Sequence, residues 1–304
     1  MSKINISYNL NDFMNFKDCN MMLPPNLKPL CNDLGGTLIL RDIILKEVGL
    51  VIDTFTNGKN PNDMIFKNSI IESLNKINQR NYSSILDSLR GLSFSKYEHF
   101  ATFSSDILLR AMTDTTGVKG VEMPEGQKSL SELYADIIVE FSQLMIKDGE
   151  TEIKFITVFM DHCQKYFVDF LDPTKVLDSN NQYRVDNFKG FLNFLGILFQ
   201  KHVLSHKIVM SCITRLKDLM YTPQWVTWGP TECENAYEGY RRLLTHVYAA
   251  HAKRQLNEEH KTFIRNVLEA HNLVKVQNDK LNKLRKFTMM AHKDIDTKFA
   301  KLVN

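Results

Sequence analysis

The stretch SLSELYADIIVEFSQLM, residues 129–145, decides the fold class. Leu130, Leu133, Tyr134, Ile137, Ile138, Phe141, Leu144 and Met145 recur at i, i+3, i+4 and i+7, which lays one apolar stripe along a helix. Ser129 and Glu132 stand three apart at its start, as a capping box requires, so the spacing predicts where this helix begins. Immediately downstream, Ile153, Ile156, Met160, Cys163, Phe167, Phe170 and Leu171 make a second stripe. Residues 64–78, 93–113, 184–202 and 205–220 behave alike, and three further helices are expected near 231–252, 257–272 and 275–301. Thr231 with Glu234 offers a second capping box. Alternating strand patterns are nearly absent. The expected fold is all-α, with about ten helices.

The prolines set the larger period. All eight lie outside the periodic stretches, and from Pro61 they fall 63, 49 and 50 residues apart, each interval long enough for an antiparallel helix pair. A period near 40–50 residues built of helix pairs predicts an α-solenoid of about five HEAT-type pairs. Residues 1–36 hold seven asparagines in the first 32, three prolines and Gly35-Gly36, and read as a flexible arm. The expected division is an arm at 1–36, a helical-repeat domain at 37–272 and a basic terminal helix at 273–304. Residues 115–127 and 172–187 read as polar loops. Trp225 and Trp228 lie in a loop between Pro223 and Pro230, where two aromatics are expected to pin the loop to the body.

Composition narrows the function. The longest apolar run, Phe191 to Phe199, is interrupted by Asn193 and falls far short of the ~20 residues a bilayer helix needs, so no membrane span is expected. No apolar leader follows Met1, so no secretory signal is expected. Five scattered cysteines without a Cys-x-x-Cys pair argue against disulfides and zinc knuckles and fit a reducing compartment, cytosolic or nuclear, of which the cytoplasm is the expected one. Residues 241–304 carry 14 Lys and Arg against 6 Asp and Glu, whereas the preceding 240 carry 24 against 29. That basic end suits either an anionic partner or plain solvated helix faces.

Enzymatic motifs fail on inspection. Gly120 to Ser129 echoes a phosphate loop, but Gln127 separates the second glycine from Lys128 and no strand precedes it. His202 and His206 have metal-ligand spacing, yet Val203 stands where the zincin pattern needs glutamate, and Ser205 reads as an N-cap that splits the pair across a turn. Neighbours on a helix point about 100° apart, so Asp161, His162 and Cys163 cannot converge as a nucleophile triplet. No catalytic residue, cofactor or metal is expected, and the chain reads as a non-enzyme.

The residues from Asn193 to Phe199, then Val203-Leu204-Ser205 and Ile208 to Cys212, resemble the middle domain of eukaryotic translation initiation factor 4G. There a K-F-I-G-E-L-F helix runs into a leucine-threonine turn. Phe194, Gly196, Leu198, Phe199 and Leu204 match, while Ile197 replaces an acidic residue. Four shorter segments resemble the same family in the same order: Ile71 to Ile77, Cys163 to Phe167, Arg242 to Thr245 and Ile264 to Leu268. The resemblance spans roughly residues 62–272. The short 172–187 segment stands where relatives carry a long insertion, and the tryptophan loop has no counterpart. The asparagine-rich composition and short chain suit a minimal version of the family, such as a viral or protist one.

What the resemblance implies is a scaffold for translation initiation. It would bind and stimulate a DEAD-box RNA helicase of the initiation factor 4A type and help recruit messenger RNA to the small ribosomal subunit. The family's Asn-Lys turn maps to Asn75 and Lys76, with Asn78 just beyond, as helicase contacts. A plain turn without a partner is the competing reading. In the arm, Tyr8, Phe13 and Met14 keep the spacing of the family's cap-binding-protein contact, with Phe13 where leucine is usual. Lys280, Lys283, Arg285 and Lys286 could form one exposed strip of a terminal helix that neutralises RNA phosphates, its buried side marked by Leu281, Leu284, Phe287, Ile295 and Phe299. Two other functions stay open: a helicase scaffold in splicing, messenger-RNA decay or nuclear cap binding, and an RNA-binding solenoid with no helicase.

Overall fold

The computed structural model describes residues 61–114, 126–172, 181–252, 254–281 and 286–303, with side chains at 61, 281–292 and 303 set aside. Among the described residues the chain forms eleven helices and one short hairpin. The helices are α1 (Pro61–Lys76), α2 (Tyr82–Arg90), α3 (Tyr97–Thr113), α4 (Leu130–Phe141), α5 (Phe155–Phe170), α6 (Gln182–Gln200), α7 (His206–Leu219), α8 (Pro223–Thr227), α9 (Pro230–His251), α10 (Glu258–Leu281) and α11 (Lys286–Val303). Between α4 and α5 lie β1 (Met145–Asp148) and β2 (Thr151–Lys154), antiparallel, with Ile146 opposite Ile153.

The packing order makes this an all-α solenoid. Helix α6 lies between α3 and α9, and α7 lies against α10. Lys189 Nζ donates to Asn235 Oδ1 at 2.7 Å near one end of the α6–α9 contact, and His246 Nε2 meets Asn193 Oδ1 at 2.9 Å further along. Both helices therefore advance in the same direction. The α7–α10 contact behaves likewise, with His206 beside Phe263 at one end and Gln277 Nε2 donating to the Met220 carbonyl at the other. Equivalent helices of successive pairs run parallel, each pair covering the apolar face of the one before, which is how a solenoid builds a continuous core.

Two glycines set the helix spacing. A Cβ at Gly190 would stand 1.9 Å from the Met112 carbonyl oxygen, and one at Gly196 would stand 2.5 Å from the His246 Cβ. Only glycine lets α6 approach α3 and α9 so closely. The Gly196 match noted in the sequence therefore marks a packing contact.

The capping box at Ser129 is present. Glu132 N–H donates to Ser129 Oγ at 3.2 Å, and Ser129 N–H donates to Glu132 Oε2 at 2.8 Å. Ser205 caps α7 as expected, accepting from Ile208 N–H. The tryptophans are anchors: Trp225 and Trp228 are both buried, with ring centroids 5.8 Å apart. Their segment, expected as loop, contains the helix α8, capped by the Thr222 hydroxyl, which accepts from Trp225 N–H at 3.3 Å.

Four expectations need correction. Helix α4 stops at Phe141, so Leu144 and Met145 leave the stripe; Met145 is exposed and opens the hairpin. Ile153 belongs to β2 and not to the next helix. The two-residue loop is Gly149-Glu150, and Gly149 supplies the positive φ, +63°, that the first position of such a hairpin turn needs. Thr231 is no cap, because Pro230 already occupies the first turn of α9 and Gly229 precedes it. Finally, α10 runs unbroken through 273 and 274 to Leu281, so it ends nine residues later than expected. The hairpin also serves α3: Asp148 Oδ2 accepts from Tyr97 N–H at 3.0 Å, capping a helix whose own Lys96 offers no acceptor.

Candidate partner-binding turn and histidine cluster

The turn after α1 is built from asparagines. Its last carbonyl, on Lys76, accepts from Asn81 Nδ2 at 2.7 Å and Asn78 Nδ2 at 3.3 Å, so two side chains satisfy a group that the helix end leaves open. Asn78 Oδ1 accepts from the Arg80 and Asn81 amides at 2.9 and 3.2 Å. Gln79 ties the turn to the segment before α4, donating to the Gly126 carbonyl at 3.0 Å and accepting from Lys128 N–H at 2.9 Å. Deeper in the pair, Tyr134 Oη donates to the Leu74 carbonyl at 3.1 Å. The turn is thus fixed from several sides.

Of the three expected helicase contacts, all are exposed, and each has an intramolecular partner. Asn75 Oδ1 accepts from Arg110 Nη1, and Lys76 pairs with Glu72 one turn back. The Lys76–Glu72 pair is solvent-exposed and screened by water and salt, so Lys76 is available outward at little cost. Asn78 has its amide and carbonyl spent on the turn; it shapes the site.

The other expected sites fare unevenly. Tyr8, Phe13 and Met14 lie outside the described residues, as do Lys283 and Arg285, with Leu284. Lys280 is exposed near the end of α10, and Lys286 opens α11, so these two stand on different helices and cannot form a strip along one. Ile295 and Phe299 are buried as expected, while the side chains of Leu281 and Phe287 lie outside the described set. Lys275, another cation of this end, bridges to Asp296 at 3.0 Å and helps join α10 to α11.

Histidine is where the three-dimensional arrangement departs most from the sequence reading. His202, with φ +61°, ends α6 in the left-handed region, and its Nε2 accepts from Arg254 Nη2 at 2.7 Å. It does not share a site with His206. Instead His206, the first residue of α7, meets His251, the last of α9, and His260, in the first turn of α10. Their ligand nitrogens all lie within 4.8 Å of one another. His206 Nε2 and His251 Nε2 are 3.2 Å apart, and His251 Nδ1–H donates to the Val247 carbonyl at 2.8 Å. Phe199 and Phe263 wall the cluster, with Phe263 4.5 Å from the His206 ring. Burial lowers the pKa of both His206 and His251; neighbouring histidines and Arg254 push the same way, while Glu259 opposes them at His206. Spacings of 45 and 9 residues between helix ends left no local pattern to read.

A separate histidine, His246, lies with its ring against the Gly196 backbone, and burial pushes its pKa down to about 4. The thiols are quiet: burial pushes Cys212 up to about 11 and Cys163 further still. An open groove of about 880 Å³ between α5 and α7 is lined by Asp161, Gln164, Lys165, Asp169 and Arg215 among others. Two residues of the Cys163 to Phe167 motif, Gln164 and Lys165, face it, whereas Cys163 and Phe167 are buried. No helix of the described residues is long and apolar enough to cross a membrane.

The sequence matches no known protein family profile, and no curated protein matches it. The structure is similar to the crystal structure of the MIF4G domain of Trypanosoma cruzi translation initiation factor EIF4G5, with a TM-score of 0.48 and 13% identity, covering 79% of this chain and 98% of that one.

Proposed function

We propose that this chain is a non-catalytic, cytoplasmic scaffold of translation initiation, holding a DEAD-box RNA helicase of the initiation factor 4A type and helping to recruit messenger RNA to the small ribosomal subunit. The observation that carries the reading is the Asn75–Lys76 turn. It matches the family's helicase-contact motif in sequence, and its backbone is clamped by Asn78, Asn81 and Gln79 so that both side chains stand exposed at the end of a helix pair. A turn held this rigidly loses little entropy on docking, which favours affinity. A solenoid flank with open grooves suits a protein partner better than a small substrate. The exposed Lys280, with the basic residues that follow it, would supply phosphate contacts for RNA, and the arm before residue 37 would reach a cap-binding protein.

The test is calorimetric. Replacing Asn75→Asp together with Lys76→Glu is expected to weaken binding to a purified 4A-type helicase at least ~30-fold, the equivalent of about 2 kcal/mol at an interface anchor. The circular dichroism spectrum should stay as in the parent, because both side chains are exposed and Arg110 can pair with the new carboxylate. Parental affinity in the folded variant would sink the assignment.

A further inference from the structure

The structure assigns a zinc-class metal site to His206, His251 and His260, a cluster that no part of the scaffold function requires. The three imidazoles come from three helix ends, α7, α9 and α10, and their ligand nitrogens already lie within 4.8 Å of one another. Tetrahedral zinc with bonds of about 2.0–2.1 Å sets its nitrogens ~3.3 Å apart. His206 Nε2 and His251 Nε2 meet that spacing at 3.2 Å. The widest separation needs to close by no more than about 1.5 Å, within the swing of a side chain in the first turn of α10.

The surroundings favour a metal over a simple hydrogen bond. His251 gives its Nδ1 proton to the Val247 carbonyl, which fixes the tautomer and leaves the Nε2 lone pair aimed at the cluster. A backbone carbonyl holding the far nitrogen is the usual support behind a metal-bound histidine. His260 Nδ1 is buried with no hydrogen-bond partner, an unsatisfied polar atom that a bound ion would satisfy or release by ring rotation. One proton now serves the His206–His251 contact; an ion replaces it, and His206 then carries its hydrogen on Nδ1. Phe199 and Phe263 shield the site on the apolar side, and Glu259 lies along the open side with His206. Among the described residues Arg254 is a fixed positive charge that acts on both His206 and His251, and its guanidinium is held by His202. Three histidines and an open fourth position for water make a four-coordinate site that staples the α6–α7 pair to the α9–α10 pair.

The test uses the full chain and zinc alone, titrated by calorimetry and by competition against a chromophoric chelator. One zinc per chain is expected, with a Kd near 1 µM or below, about −8 kcal/mol. The double variant His206→Gln, His260→Gln should weaken it by at least ~100-fold, at the upper end of what supporting contacts alone contribute. His162→Gln, on the separate helix α5, should leave it unchanged. Cobalt loaded into the parent should give the intense visible bands of a four-coordinate site, a readout that does not depend on any variant folding. Absence of stoichiometric zinc binding, weak octahedral cobalt bands, or parental affinity in the double variant each overturns the assignment.

Discussion

The two ends of the solenoid hold themselves together with different chemistry. Around α3, α4 and α5 the core is phenylalanine: Phe94, Phe100, Phe103, Phe141 and Phe155 form one connected set of rings, with Phe103 centred 5.1 Å from Phe141 and 5.3 Å from Phe155. Around α7, α9 and α10 the interior also holds groups that titrate or bond: His251, His271 and Tyr240 are buried and His206 is half-buried. A hydrocarbon core is stabilised by area and packing alone, so its contribution does not change with protons or metals. Where burial holds imidazoles neutral, as at His246 and His251, that region loses stability when acid protonates them. The phenylalanine set should therefore respond little to solution conditions, with His99 stacked on Phe66 only at its margin, and the second region should be the one they loosen or tighten.

The sharpest way to break that contrast is Phe155→Ala. Phe155 is fully buried and touches four other rings, so truncation is expected to cost about 4 kcal/mol through lost burial and the cavity left behind. Urea unfolding should return the same penalty at pH 7 and pH 5. A penalty that shrinks with acid would mean that the phenylalanine block is coupled to the titrating end.

Acid itself gives the next largest effect. His246 has its folded pKa lowered from 6.5 to about 4 by burial. Above pH 6.5 it is neutral in both states and adds no pH dependence. As the pH falls from 6.5 towards 4 the unfolded chain takes up a proton that the folded chain refuses, so stability drops, by about 3 kcal/mol in all. His206 and His251, also lowered, shift the balance in the same direction. Replacing His246→Gln keeps a donor towards Asn193 and removes the titration, so the variant should lose distinctly less stability between pH 7 and 4.5 than the parent. Parallel pH profiles for the two would remove His246 from the account.

This division also explains what the sequence could and could not disclose. Helices α4 to α7 were legible because their apolar residues recur every 3.6 positions and because Ser129 and Ser205 announce where two of them start. Gly196 was legible only as a family letter; its reason, a His246 side chain 2.5 Å from where a Cβ would stand, exists only once α6 meets α9. The hairpin was hidden because Leu144 and Met145 sit in phase with the helical stripe before it and Ile153 with the stripe after it. The histidine cluster was hidden for a deeper reason. Metal spacing along a chain is readable when two ligands share one helix or loop, and here each ligand comes from a different helix end. The turn proposed for the helicase shows the converse: Asn75 and Lys76 could be singled out by resemblance, but that Asn78 is spent on holding the turn could not.

The smallest effect compares the two serine caps, one in each of the two regions. Ser129 forms a reciprocal box, with bonds of 3.2 and 2.8 Å to and from Glu132, and is itself buried. Ser205 makes a single bond to Ile208 N–H at 3.4 Å and lies in the open. Losing an N-cap oxygen typically costs about 0.5–2 kcal/mol, and the cost rises with geometry and with burial of the amide left behind. Ser129→Ala should therefore cost about 1 kcal/mol or more, and Ser205→Ala about 0.5 kcal/mol, read from denaturant midpoints at constant m. Zinc turns this into a test of the contrast. Ser205 precedes His206 directly, so a zinc-loaded parent should mask much of the Ser205→Ala loss, since the metal would hold the start of α7 in place of the cap. The Ser129→Ala loss should be the same with and without zinc. If zinc rescues both alike or neither, the two ends do not differ in the way their side chains imply.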